Sequence, residues 1–238
     1  MAAVEAHLVD ADAGLIKLLD PPLVHAVPSA GYIQAYPPGI RENGGQYSHA
    51  GVWALMAQAE LAKQTASAGV ADTPGAAVDT GNAGDRIYRY FTYLSPAHRA
   101  SHPTRGPAYG IEPYVMAGDI YSQPPYVGRG GWSWYTGAAA WLHRAAIESV
   151  FGLRQRSQSL SFTPCLPSHW SQAELTLVRE QCSMRFIMIR ASTADALQAV
   201  AVPGAHLLQV GENLHWFNLT GSSCFVIPLP PDTRPPTP

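Results

Sequence analysis

The periodicity of apolar residues changes once along the chain, near residue 153, and that change limits the fold more than any other feature. Before it, the strong segments carry helical spacing. In residues 48–66, Ala50, Trp53, Ala54, Ala57 and Leu61 recur at intervals of three and four, which predicts a helix with an apolar stripe. Residues 132–152 repeat the spacing with Trp134, Ala138, Trp141, Leu142, Ala145 and Val150, and Gly152 is a natural stop. Residues 85–95 read as a further helix ended by Pro96, and residues 112–121 as a fourth with Pro113 in its first turn. The opening Met1 to Leu8 reads like the middle of a helix, so the chain is expected to begin inside a domain.

Beyond Leu153 the alternation has period two. Strands are predicted at 160–162, 174–178, 184–189, 206–210 and 223–229. Short strands divided by turn signals suggest a β-sandwich. The expected organisation is therefore a mainly helical part over 1–153, a β part over 154–229 and a disordered proline-rich tail over 230–238. The Ala-, Gly-, Thr- and Asp-rich stretch 67–84 reads as a surface loop.

Composition excludes several classes of function. Charged residues are 13% and the net charge is −2, so there is no basic surface for nucleic acid. No apolar stretch reaches the roughly 18 residues of a membrane span. The start has neither a basic n-region nor an apolar h-region, so no signal peptide is expected. Cys165, Cys182 and Cys224 are odd in number and in no metal-ligand spacing, which fits free thiols in a reducing compartment.

Two runs carry the chemistry: Arg41-Glu42-Asn43-Gly44-Gly45-Gln46-Tyr47-Ser48-His49 and Gly128-Arg129-Gly130-Gly131-Trp132-Ser133-Trp134-Tyr135-Thr136-Gly137. Each combines cations, hydroxyls or a carboxylate, aromatic rings and paired glycines. Aromatic faces cover the apolar faces of a sugar, charged and amide groups bind its hydroxyls, and glycines let backbone N–H groups approach an oxyanion. Such runs suit a sugar held beside an inorganic anion.

These runs, with Tyr36, Gly39 and Ile40 before the first, Glu112-Pro113-Tyr114-Val115 between them, and Gly152-Leu153-Arg154 and Pro164-Cys165-Leu166-Pro167 after, resemble glycoside hydrolase family 94. These are the inverting β-glucoside phosphorylases. The stretch from Tyr121 to Trp132 is most similar to the C-terminal phosphorylase-like region of cyclic β-1,2-glucan synthases. The resemblance covers about residues 1–190. It implies a partial (α/α)6 barrel followed by a β-sandwich. It also implies that the general acid, an Asp, lies upstream of anything present, so that no catalytic residue is expected in this chain and the chain is a C-terminal fragment.

The same resemblance implies roles residue by residue. His49, Thr136 and Gly137 correspond to phosphate ligands; the plainer readings are a helix-end His and a Thr-Gly packed inside a helix. Arg41 and Glu42 correspond to a pair binding sugar hydroxyls, against a surface ion pair. Tyr36 would line the acceptor subsite, Glu112 would contact the donor sugar or cap a helix, and Arg129 would contact phosphate or glucan or form a structural ion pair. Gly118 stands where some members carry a donor-binding Gln. The tryptophans at helical spacing read as core, with Trp132 the one candidate sugar platform.

The implied activity is phosphorolysis of β-linked glucans to α-glucose 1-phosphate, within β-1,2-glucan processing. Phosphate is the co-substrate, a β-glucan oligosaccharide the partner, and no other cofactor or metal is expected. One acid suffices because phosphate is the nucleophile. Two rivals stand beside this reading: an inverting hydrolase, for which Glu42 is the nameable base, and a non-catalytic carbohydrate-binding remnant. A cytoplasmic location, alone or as the cytoplasmic part of a membrane-bound synthase, is expected; homodimer and monomer both stay open.

Overall fold

In the computed structural model, which describes residues 1–67, 83–179 and 181–230, the chain divides into two units, Met1–Ser149 and Val150–Pro238. The expected surface loop over 67–84 and the tail over 230–238 lie almost wholly outside the described residues.

The first unit opens with helix α1 (Ala2–His7) and an antiparallel pair, β1 (Val9–Asp10) with β2 (Leu15–Ile16). Asp10 accepts the Ala13 N–H at 2.9 Å and closes the turn between them. The initial helix ends at His7, and Asp10 lies on a strand. After α2 (Tyr32–Ala35) comes β3 (Gln46–Tyr47), which pairs antiparallel with β4 (Asp119–Ile120) in the register Gln46↔Ile120 and Tyr47↔Asp119. Helix α3 (Ser48–Ser67) starts directly from β3. It is followed by α4 (Ala83–Leu94), α5 (Pro96–Ser101), α6 (Gly106–Tyr109) and α7 (Thr136–Arg144), which runs on as a π-helical turn over Ala145–Val150.

Three sequence expectations for this unit are corrected. The stripe named on α3 is not its buried face: Val52, Leu55 and Ala59 are buried, whereas Trp53 is 52% and Leu61 45% exposed. α3 is apolar around most of its circumference, so spacing alone does not single out a side. Residues 112–121 do not form a helix. Glu112 opens a turn, Val115, Met116 and Ala117 are buried, and β4 follows. The backbone there is committed elsewhere: Ser48 N–H donates to Gly118 O at 2.9 Å, and Gly118 N–H donates to Trp132 O. α7 begins at Thr136 and not at 132, because Trp134 takes a left-handed φ of 60° that no helix accommodates. Its inner side matches the remaining stripe, with Ala138, Leu142, Ala145 and Val150 buried. Pro96 both ends α4 and supplies the first turn of α5.

The second unit holds two sheets. One is three-stranded, β10 (Leu214–His215), β6 (Ser159–Phe162) and β5 (Leu153–Arg156) in that order; the other runs β7 (Gln172–Arg179), β8 (Cys182–Arg190), β11 (Gly221–Leu229), β9 (His206–Leu207). The sheets meet through aromatic rings: Phe162 of β6 lies 4.5 Å, centroid to centroid, from Phe186 of β8, and Phe186 stacks on Phe225 of β11 at 5.3 Å. β8 and β11 are parallel. The chain between them forms helix α8 (Thr193–Val200), which packs against both strands and is capped by the Ser192 hydroxyl accepting the Asp195 N–H. That helix interrupts the all-strand pattern expected after 153, and the strand expected over 206–210 shrinks to two residues. Phe186, Ile187 and Met188 are all fully buried, so β8 is covered on both faces and its period-two signal fades at the centre.

Because Phe186 links the two sheets, Phe186→Ala should destabilise the second unit by about 3–5 kcal/mol. Urea unfolding followed by near-ultraviolet circular dichroism measures this. A loss below about 1 kcal/mol would show that the aromatic contact does not organise the unit.

Candidate functional site

The run from Tyr36 to His49 divides into a buried half and a surface half. Asn43 is fully buried: its Oδ1 accepts the Leu23 N–H at 2.7 Å, and its Nδ2 donates to Leu23 O at 3.0 Å and Tyr36 O at 2.8 Å. Gln46 is fully buried too, accepting the Ile16 N–H at 2.8 Å and donating to Tyr93 O at 3.0 Å. Ser48 donates to Ala117 O at 2.6 Å. These amides therefore knit loops together and do not face a sugar, contrary to the sequence expectation. The paired glycines are structural as well. Gly44 has φ 94°, and a Cβ there would stand 2.8 Å from Pro22 Cγ; Gly45 packs on the Arg41 backbone and donates to Arg41 O at 3.0 Å.

The alternate residues form the surface half. Arg41 Nε lies 3.4 Å from Glu42 Oε2, and its guanidinium sits 5.4 Å from the Tyr36 ring centroid and 5.9 Å from that of Tyr47. Burial alone would lower the guanidinium pKa, but Glu42, Tyr36 and Tyr47 outweigh it and raise the value, so the cation is permanent. The Tyr47 hydroxyl shares a 2.8 Å hydrogen bond with the Tyr135 hydroxyl. Burial, and then this bond, push the Tyr47 pKa up to about 12, which keeps the phenol neutral.

Tyr135 leads to the second run. The His49 ring packs edge-on against Tyr135 at 5.6 Å and beside Trp53 at 5.8 Å, and Trp53 meets Trp141 of α7 at 5.9 Å. The His49 ring also lies against the first turn of α7: a Cβ on Gly137 would stand 3.2 Å from His49 Cε1 and 3.6 Å from Nε2. Thr136 and Gly137 are exposed, and the N–H groups of residues 136–138 precede the first intrahelical bond, Ala139 N–H to Tyr135 O. A helix N-terminus beside an imidazole is a chemically competent oxyanion site.

Asp119 joins the two runs. Only 2% exposed, its carboxylate accepts the Arg41 N–H at 2.7 Å, and its backbone oxygen accepts the Gly131 N–H at 2.9 Å. Burial raises its pKa from the ordinary carboxylate value, although the Arg41 N–H and the Arg41 charge oppose the shift. A raised carboxyl invites the role of general acid. This one is buried and accepts the Arg41 N–H, so it has no path to a leaving oxygen.

Of the sequence candidates, the structure thus gathers Tyr36, Arg41, Glu42, His49 and Gly137, with Thr136 beside Gly137 in chain, through the aromatic series Tyr47, Tyr135 and Trp53. Glu112 is exposed on its turn, and Arg129 is exposed with its guanidinium 5.5 Å from the Tyr126 ring centroid. Tyr47 and Tyr135 lie inside the two runs but were given no role of their own, and Asp119 escaped sequence reasoning, since nothing local marks it. Among the described residues, no group of three or more His, Cys, Asp or Glu side chains is placed to hold a metal ion, and no helix is long and apolar enough to cross a membrane.

Comparison with known proteins gives a consistent picture. The family model described as the glycosyl hydrolase 94 superfamily, catalytic domain, matches residues 1–70 and 75–152, more than half of the chain. The chain is 42% identical over 170 residues to the cyclic β-(1,2)-glucan synthase NdvB of Rhizobium meliloti (strain 1021), covering 71% of this chain and 5% of that protein. It is 27% identical over 187 residues to solabiose phosphorylase of Paenibacillus borealis, covering 72% and 21%. It is 26% identical over 153 residues to N,N'-diacetylchitobiose phosphorylase of Vibrio furnissii, covering 61% and 16%. The chain therefore spans about a fifth or less of the length of these relatives.

Two outcomes follow from the site's geometry. Gly137→Ala places a better helix former in α7, so the melting temperature should hold or rise, by up to about 1 kcal/mol in stability. The new Cβ should nevertheless displace His49, read as a shift of its ring resonances by NMR; an unmoved imidazole would mean that the two do not touch. Because the Asp119 pKa is raised in the folded state, the folded chain binds its proton more tightly than the unfolded chain does. The stability of the wild type relative to Asp119→Asn should therefore increase as pH falls into the ordinary carboxylate range. Denaturant unfolding across pH checks the sign, and a difference that shrinks on acidification would contradict it.

Proposed function

The chain belongs to the glycosyl hydrolase 94 superfamily, and from that membership we propose that it is the phosphate- and sugar-binding C-terminal portion of an inverting phosphorylase acting on β-linked glucans. The observation that carries this reading is the His49 imidazole resting on the N-terminal turn of α7 at Gly137. In this reading His49, the Thr136 hydroxyl and the N–H groups at 136–138 are the phosphate ligands, which the closeness of His49 to Gly137 supports. Arg41, Glu42 and Tyr36 form the sugar side, reached through the Tyr47–Tyr135 hydroxyl pair.

In this reading, phosphate held at α7 attacks the anomeric carbon and its oxygen displaces the glycosidic oxygen with inversion, releasing α-glucose 1-phosphate. The positive end of the helix dipole and His49 hold the nucleophile in line, and Arg41 with Glu42 orients hydroxyls across the cleaved bond. The proton for the leaving oxygen comes from a carboxylic acid outside this chain. The helices of the first unit would be part of an (α/α)6 barrel, and the exposed Trp53 and Leu61 side of α3 is a face that further helices would cover. Similarity to the glucan synthase NdvB favours a β-1,2-linked substrate. Phosphate is the co-substrate, with no other cofactor.

The 238-residue chain incubated with β-1,2-glucooligosaccharides and phosphate should release no glucose 1-phosphate, since acid catalysis alone contributes about 10²–10⁴-fold. In a protein extended upstream to its relatives' length, His49→Ala should lower kcat/KM for phosphate about 10–100-fold, as loss of a hydrogen bond to a charged group implies. Unchanged turnover in that variant would reduce His49 to a helix-end residue.

A further inference from the structure

Arg99 of α5 is a buried cation to which the proposed phosphorolysis gives no role. It is only 2% exposed. Its Nη1 donates to Gly14 O, in the β1–β2 turn, at 2.6 Å and to Tyr93 O of α4 at 3.1 Å. Nε and Nη2 are buried as well, and neither has a hydrogen-bond partner among the described residues. In a planar guanidinium these two nitrogens share one edge, so their N–H groups point the same way as a two-pronged fork. Buried donors on a charged group are costly to leave unpaired, so the fork calls for an acceptor.

The surroundings favour an acceptor that is negative and small. Arg99 and Arg105 meet at Gly14: Arg99 bonds its carbonyl, and a Cβ on Gly14 would stand 2.5 Å from Arg105 Nη1. Arg105 directs Nη2 to the backbone oxygens of Ala11 at 3.1 Å and Asp12 at 3.2 Å. Among the described residues, neither guanidinium is paired with a carboxylate. Burial lowers the Arg99 pKa to about 10, the Arg105 charge adding to the fall while Tyr109 and Tyr93 oppose it, so Arg99 is still a cation at neutral pH. A neutral acceptor would fill the fork without cancelling the repulsion between the two cations, whereas an anion does both. Room adjoins Nη2 at the buried Gly128. Apart from its chain neighbours, a Cβ there would meet only Ala108 Cβ at 3.7 Å and Arg99 Nη2 at 4.0 Å. That is the scale of a single atom.

We propose that the Nε–Nη2 edge of Arg99 binds a small monovalent anion, chloride, in the space beside Gly128, with Arg105 as the second cation of the site. The site shares no residue with the corner between His49 and Gly137, and it stands without the sugar reading. Through Arg99 the bound ion ties α5 and the β1–β2 turn to the start of the second run, where the Gly128 N–H is already committed to Tyr121 O at 2.8 Å.

Thermal melting of the full chain tests this, with sodium chloride exchanged for sodium gluconate at constant ionic strength. Chloride should raise the wild-type melting temperature by about 3 °C or more, and saturably, as a ligand bound only by the folded state does. Arg99→Lys keeps the positive charge but removes the fork, so the gain should be lost. If Arg99→Lys does not fold, the chloride NMR line decides on the wild type alone. The protein should broaden that line, bromide should sharpen it again by displacement, and gluconate should not. A wild type indifferent to the exchange of chloride for gluconate would overturn the proposal and leave a neutral acceptor on the fork. A gain retained in full by Arg99→Lys would overturn it too, by placing the effect on general surface charge. So would a chloride line that the protein leaves sharp.

Discussion

The site depends on a two-residue strand pairing. Gln46 and Tyr47 of β3 lie against Ile120 and Asp119 of β4, joining stretches that are more than seventy residues apart in sequence. So short a ladder is weak by itself. It is held by buried polar groups that bond to other segments of the unit: Gln46 to Ile16 of β2 and Tyr93 of α4, Asn43 to Leu23 and Tyr36, Ser48 to Ala117, Ser122 to Gly44, and Asp119 to Arg41. Buried polar groups cost free energy unless satisfied, so these residues specify one loop arrangement against others of similar compactness.

That division of labour explains the composition of the first run. It is polar throughout because one half of it replaces regular secondary structure as the hydrogen-bonding partner of surrounding loops. The other half, Arg41, Glu42, Tyr47 and His49, is what the first half presents. α3 then begins at Ser48, carries His49 on its first turn, and places that imidazole beside the first turn of α7. Two helix starts and a strand pair, none of them long, thus bring together a cation, a carboxylate, phenols and an imidazole.

Much of this was legible in the sequence. The change from period 3.6 to period two separated a mainly helical stretch from a mainly stranded one because both periodicities report burial directly, although helix α8 (Thr193–Val200) was missed. The stripe on α3 misled, since Ala, Val, Leu, Met and Trp surround that helix and burial is decided by its neighbours. Residues 112–118 misled because their apolar side chains are buried in an extended segment whose backbone bonds to Ser48 and Trp132, a long-range fact with no local signature. Motif chemistry singled out Arg41, Glu42, His49 and Gly137, which lie near one another through the aromatic series, but read Asn43, Gln46, Gly44 and Gly45 as ligand groups where they serve the scaffold. Asp119 was invisible for a related reason: its importance lies in bonds to positions 78 residues before it and in the next loop.

The central claim is that the corner between His49 and α7 binds phosphate. Titrating the labelled chain with inorganic phosphate, and following the His49 ring together with the amides of Thr136, Gly137 and Ala138, tests it without requiring turnover. The account predicts saturable shifts at these groups, lost in His49→Ala while the β8 amides stay in place. Phosphate that leaves these resonances unmoved, or shifts them identically in His49→Ala, would contradict it.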